Sequence, residues 1–130
     1  MPKLMQPINP PTLPKPAGYA HGWEVQGGKT VYIAGQVALD KDGHVVGKGD
    51  MVAQFRQVCE NLRAILEAAG SSLDRVVKVT IYMVDLGEVL AMNEVFSQYF
   101  PVDPPARTTF ECSRLIGNAR VEIEAIAVVS

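Results

Sequence analysis

Residues 104–129, PPARTTFECSRLIGNARVEIEAIAVV, constrain the fold more than any other stretch. They read as two strands, 106–112 and 120–129, joined by a loop. Side chains of a strand alternate between faces with period 2. In the second strand Val121, Ile123, Ala125, Ala127 and Val129 share one face, and Arg120, Glu122 and Glu124 share the other with Ile126 and Val128. In the first, Arg107, Thr109 and Glu111 lie together, opposite Ala106, Thr108, Phe110 and Cys112. Polar groups therefore gather at the start of each strand. An Arg and a Glu on adjacent strands make either a structural ion pair or a site.

The rest of the chain supplies what such strands need. Residues 1–18 carry Pro2, Pro7, Pro10, Pro11, Pro14 and Pro16, and read as an extended surface arm. Residues 19–130 read as one domain. Segments 19–26 and 30–35 flank Gly27–Gly28, a hairpin signal. Asp42–Gly43 favours a tight reversal, with a short returning strand at 44–46. Asp50 is the expected N-cap of a helix over 51–69, where Met51, Phe55, Val58, Cys59, Leu62, Ile65 and Leu66 recur at helical spacing and Gly70 stops the run. Gln54, Gln57, Glu60, Arg63 and Glu67 are placed away from that face. Segment 75–84 is apolar on both faces and reads as a strand buried on both sides. Asp85 and Glu88 are spaced as a capping box for a second helix over 86–100, which carries Val89, Phe96 and Phe100 on its apolar face with Asn93 at the border.

The order β-β-α-β-α-β-β predicts an α+β domain, a mixed sheet with two helices on one face. The other face reads as rich in Val, Ile, Ala and Met, too large an apolar patch for a lone chain, and is expected to pack on other copies.

Bulk properties exclude several classes. The net charge of −2 and the lack of a Lys/Arg stripe argue against nucleic acid as a partner. No run approaches the ~20 apolar residues of a membrane span, and the N-terminus lacks the pattern of a secretory signal. Cys59 and Cys112 form no metal-like cluster, and read as reduced thiols of a cytoplasmic protein.

PPARTTFECSRL followed by VEIEAIAVV resembles the C-terminal signature of the YjgF/RidA family, the reactive-intermediate deaminases. AGYAHG at 17–22, YIAGQV at 32–37, EAAG closing the first helix, VTIYMVDL at 79–86 and MNEVFSQYF at 92–100 agree in order, so the resemblance spans residues 17–129. It implies a chorismate-mutase-like fold, a homotrimer with sites in clefts between subunits, and hydrolysis of 2-enamino or 2-imino acids, such as 2-aminoacrylate tautomerising to 2-iminopropanoate, to 2-oxo acids and ammonia. It implies no metal and no organic cofactor. By the same resemblance Arg107 binds the substrate carboxylate, Glu122 places or activates water, Tyr19 and Asn93 line the pocket, and Gly35 offers a backbone contact. Two positions depart from the archetype: Thr109 stands where cysteine is usual and Ala34 where serine is frequent.

These residue types suit that chemistry. A guanidinium offers a carboxylate a planar, bidentate fork. Imine hydrolysis then needs a placed water and a proton shuttle, which a carboxylate of raised pKa supplies. The Thr109 hydroxyl can hold the same water, and its backbone carbonyl survives the departure from cysteine. An alternative is a module of the same fold that binds a small carboxylate, such as a 2-oxo acid, without turnover. RNA cleavage, attached to some family members, is disfavoured by the acidic balance.

Overall fold

Helix α1, Met51–Ala68, begins where the Asp50 carboxylate accepts a hydrogen bond from the Ala53 N–H. Phe55, Val58, Cys59, Leu62 and Leu66 on one of its faces are fully buried. The computed structural model describes residues 5–129; Pro2 of the arm lies outside the described residues. Helix α2, Val89–Tyr99, buries Met92, Val95 and Phe96. A 3-10 turn, Leu86–Glu88, precedes it, and the Asp85 side chain accepts from the Gly87 N–H. Glu88 does not reach back as a capping box would. It takes the Arg120 guanidinium instead, with Nε donating over 2.9 Å.

Both helices cover one face of a four-stranded sheet. Its strands are β3 (Lys29–Gln36), β4 (Val76–Met83), β5 (Ala106–Glu111) and β6 (Val121–Val129), in the order β3-β6-β4-β5. β4 and β5 are parallel and the other pairs antiparallel. The sheet is mixed and the fold α+β, as the periodicities predict. Ile33, Val79, Ile81, Met83, Val121, Ile123, Ala125 and Ala127 pack with α1 and α2 into one core.

Three expectations change. Segments 19–26 and 30–35 do not form a hairpin. β2, Gly22–Val25, pairs instead with β1, Met5–Ile8, a strand within the proline-rich arm that adds one element to the expected order. Proline is tolerated there because β1 is an edge strand. Next, beyond the irregularity at Val76–Lys78, where Val76 and Val77 are both buried, β4 is buried on one face only: Val79, Ile81 and Met83 are buried, whereas Lys78, Thr80 and Tyr82 are half-exposed. The uncovered face is accordingly mixed, with Tyr32 (78% exposed) and Phe110 (41% exposed) beside Lys78, Glu122 and Glu124. Finally, Gln54 is fully buried. Its Nε2 donates to the Gly47 carbonyl over 3.0 Å and its Oε1 accepts from the Arg120 N–H over 2.8 Å, tying α1 to the start of β6.

Candidate active site

The strand order decides where the site residues go. β5 and β6 are not neighbours; β4 lies between them. Arg107 sits opposite Val79 and Glu122 opposite Tyr82. Val79 faces the helices and Tyr82 faces away, so Arg107 and Glu122 occupy opposite faces of the sheet. Two strand spacings and three residues along the strand separate their Cα atoms by about 14 Å. The ion-pair reading of these two residues within one chain is thereby excluded, and the site residues divide into two groups.

The first group surrounds Arg107. Its guanidinium carbon lies 4.8 Å from the Phe96 ring centroid and 6.0 Å from that of Tyr19. Phe96 is itself stacked on Phe100, with centroids 4.6 Å apart. Asn93 is one turn before Phe96 on the same side of α2. Thr109 is two residues beyond Arg107 on the same side of β5. Burial pushes the Arg107 pKa down. No carboxylate pairs with Arg107 among the described residues. Glu111, on the same strand face, instead accepts from the Leu86 N–H over 3.0 Å.

Among the described residues, three buried side-chain atoms lack a hydrogen-bond partner: Arg107 Nη1, Thr109 Oγ1 and Asn93 Oδ1. All three belong to residues singled out in the sequence. A buried polar group without a partner costs about 1–3 kcal/mol, and more when charged. A cationic donor, a hydroxyl and an amide carbonyl left open together match a small anion that carries further polar groups.

The second group lies on the uncovered face, where β3 meets β6. The pairing steps from Ile33–Ala125 to Gln36–Ile123, so a bulge falls at Ala34–Gly35. The Glu122 carboxylate occupies the space that Gly35 leaves open: a Cβ on Gly35 would stand 2.9 Å from Glu122 Cδ. Burial first, and the neighbouring Glu124 charge second, raise the Glu122 pKa. Glu124 is held by the Tyr82 hydroxyl, which donates to it over 2.6 Å. Ala34 lines an open concavity of about 520 Å³ with Tyr32, Lys78, Thr80 and Glu124. The sequence places Phe96 on the apolar face of the second helix but gives no sign of its position beneath Arg107.

A family model described as Endoribonuclease L-PSP matches residues 12–129. The chain belongs to this family, the YjgF/RidA family that its sequence resembles. Relatives agree across nearly the whole length. A RutC family protein of Pyrococcus horikoshii is 49% identical over 115 residues, 88% of this chain and 90% of its own. The mouse protein named 2-iminobutanoate/2-iminopropanoate deaminase is 40% identical over 104 residues, 80% of this chain and 77% of its own. Among solved structures, YyfB of Yersinia pestis, described as a Rid family protein of unknown function, superposes with a TM-score of 0.90 at 33% identity, covering 98% of this chain and all of its own. No helix among the described residues is long and apolar enough to cross a membrane.

Proposed function

We propose that this family member hydrolyses reactive 2-imino and 2-enamino acids to 2-oxo acids and ammonia, in a homotrimer whose sites are shared between copies. Arg107, Thr109, Asn93 and Tyr19 of one copy face Gly35 and Glu122 of the next. The observation that carries this reading is the set of three open polar atoms on Asn93, Arg107 and Thr109. The relatives named imine deaminases support the choice of reaction. The placement of Arg107 and Glu122 on opposite faces supports the sharing, because a site using both needs two chains.

In this account the substrate carboxylate docks in the plane of the Arg107 guanidinium, whose faces are flanked by Phe96 and Tyr19. A charge-assisted hydrogen bond there contributes about 1.5–3 kcal/mol. The carboxylate anchor fixes the imine carbon, which is already electrophilic, beside a water held by Thr109 and Glu122. Glu122 takes a proton as the water oxygen bonds to carbon. It passes that proton to the imine nitrogen, giving the carbinolamine. It then takes the hydroxyl proton as the carbonyl forms and passes it to the same nitrogen as the carbon–nitrogen bond breaks, so imine and water become oxo acid and ammonia. No metal or cofactor enters the sequence of steps. The free thiols of Cys59 and Cys112 fit a reducing, cytoplasmic setting. A single recessed arginine in a chain of net charge −2 favours a small carboxylate over a polyphosphate backbone.

A second reading follows from the division of the residues. The Arg107 group needs nothing from Glu122 to hold a carboxylate, so the same fold would serve as a 2-oxo acid binding module. A coupled assay separates the two. An amino-acid oxidase generates the imine, a nucleophilic trap competes for it, and release of 2-oxo acid is followed. Acceleration by this protein that vanishes in Arg107→Ala establishes deamination. Calorimetric binding of 2-oxobutanoate with no acceleration establishes the binding module.

A further inference from the structure

β2 and β3 are consecutive, with only residues 26–28 between them. Gly27 and Gly28 both hold left-handed φ, at 70° and 73°. Positive φ at both central positions is what a two-residue hairpin turn of the primed type requires. Yet the two strands belong to different sheets. Among the described residues each has a strand partner along one edge only: β2 pairs with β1, and β3 pairs with β6. The open edge of β3 is eight residues long. Between Lys29 and the bulge at Ala34–Gly35 it carries none of the charges or prolines that natural sheets use to block an edge. Two unsatisfied edges, adjacent in sequence and joined by hairpin chemistry, thus remain apart.

What keeps them apart is the anchoring of the β1–β2 ribbon at the far side of the sheet. The Ala20 N–H donates to the Pro105 carbonyl over 3.1 Å, and Ala20 bridges Ala106 at the start of β5. Trp23 Nε1 donates to the Pro104 carbonyl over 2.9 Å. In the order β3-β6-β4-β5 these anchors lie three strand spacings, about 14 Å, from the β3 edge. The ribbon cannot pair with its own β3 without giving up these contacts. A head-to-tail ring of copies sets the β5 edge of one chain beside the β3 edge of the next.

We infer that β2 of each copy pairs with β3 of the neighbouring copy, in the register encoded by Gly27–Gly28, so that the N-terminal ribbon is exchanged around the ring. That register sets Val25 opposite Thr30 and Trp23 opposite Tyr32. Continued, it sets Ala20 opposite Gly35. Ala20 then has its own Ala106 on one side and the neighbour's Gly35 on the other. Arg107 and the neighbour's Gly35–Glu122 pair come within two strand spacings, about 10 Å, across a shared cleft. Strand exchange would therefore assemble the two halves of the site. It shares with the functional proposal the association of copies, and none of its chemistry.

Val25 and Thr30 are exposed, so cysteine is tolerated at both. They form a non-hydrogen-bonded pair in the inferred register, with Cα atoms about 4.5 Å apart, within disulfide reach. In a Cys112→Ser background, a tagged Val25→Cys chain is co-expressed with an untagged Thr30→Cys chain and oxidised. A disulfide-linked heterodimer, absent when either chain is oxidised alone, is the expected result. The double variant Val25→Cys/Thr30→Cys is expected to give covalent oligomers. A disulfide closed within one chain of the double variant, with no heterodimer in the mixture, overturns the inference, as does the absence of both bonds. If cross-linking fails while mixed Arg107→Ala and Glu122→Ala chains still regain activity, the exchange is refuted and the shared site stands.

Discussion

Gly35→Ala separates the chemistry of this site from its binding. The Cβ introduced at position 35 would stand 2.9 Å from Glu122 Cδ and closer still to a carboxylate oxygen. Carbon atoms in contact prefer about 3.5–4.0 Å, so the carboxylate must retreat by about 1 Å. A misplacement of that size costs a catalytic group about 100-fold in rate, or about 2.7 kcal/mol. The backbone itself accepts the change, because Gly35 is not among the glycines with positive φ. Replacing a glycine in a compatible conformation adds about 0.4–1 kcal/mol of stability through the unfolded state. The expectation is therefore a protein at least as stable as wild type, with kcat for imine hydrolysis reduced about 100-fold. Its calorimetric affinity for 2-oxobutanoate, held by Arg107, should stay within a few-fold. Coupled imine hydrolysis, calorimetry and denaturant melts give the three readings. Full activity in a folded Gly35→Ala variant refutes the role of Glu122. So does a loss of rate explained wholly by lost binding.

Thr109→Val removes a hydroxyl that has no partner among the described residues. Stability measured by urea melts should hold or rise slightly, while kcat/KM falls about tenfold, the worth of one hydrogen bond to the water. Gln54→Leu should instead destabilise the fold by about 1–3 kcal/mol in the same melts, since it strands the Arg120 N–H and the Gly47 carbonyl. The raised pKa of Glu122 fixes two signs. As a base it must be ionised, so activity should rise with pH through a pKa above the ordinary carboxylate value, and Glu122→Gln should remove that limb. For stability, the native state holds its proton more tightly than the unfolded one. That contribution is complete below the ordinary carboxylate pKa and is lost as pH rises through the raised one, so Glu122→Gln should flatten the pH dependence of the melts there.

Which parts of this architecture can be read from sequence follows from the range of the interactions involved. α1 was legible because Phe55, Val58, Leu62 and Leu66 repeat at helical spacing beside a local cap at Asp50. The face assignments of Arg107, Thr109 and Glu111 were legible because strand alternation is local too. The neighbour of a strand is not local. Reading β5 and β6 as adjacent brought Arg107 and Glu122 together, and the insertion of β4 places them on opposite faces. The same limit governs Gly27–Gly28, whose turn chemistry is real but whose strands find partners elsewhere. Gln54 is a different case. It lies three residues after Met51 and four before Val58, so its spacing already placed it on the buried face. Its polarity argued against that placement, and the two backbone groups that satisfy it come from distant segments. The proline-rich arm hid β1 because Pro7 lacks a donor, a loss that matters little at an edge.

The central claim is that one site draws Arg107 from one chain and Glu122 from another. Arg107→Ala and Glu122→Ala chains, each inactive alone, test it when unfolded together and refolded as an equal mixture. If neighbouring copies share each site, about a quarter of the sites receive an intact Arg107 and an intact Glu122, and about a quarter of the wild-type activity returns. If each chain carries its own site, every site in the mixture lacks one of the two groups. Activity that stays at the level of the separate variants, in properly assembled protein, would contradict the account.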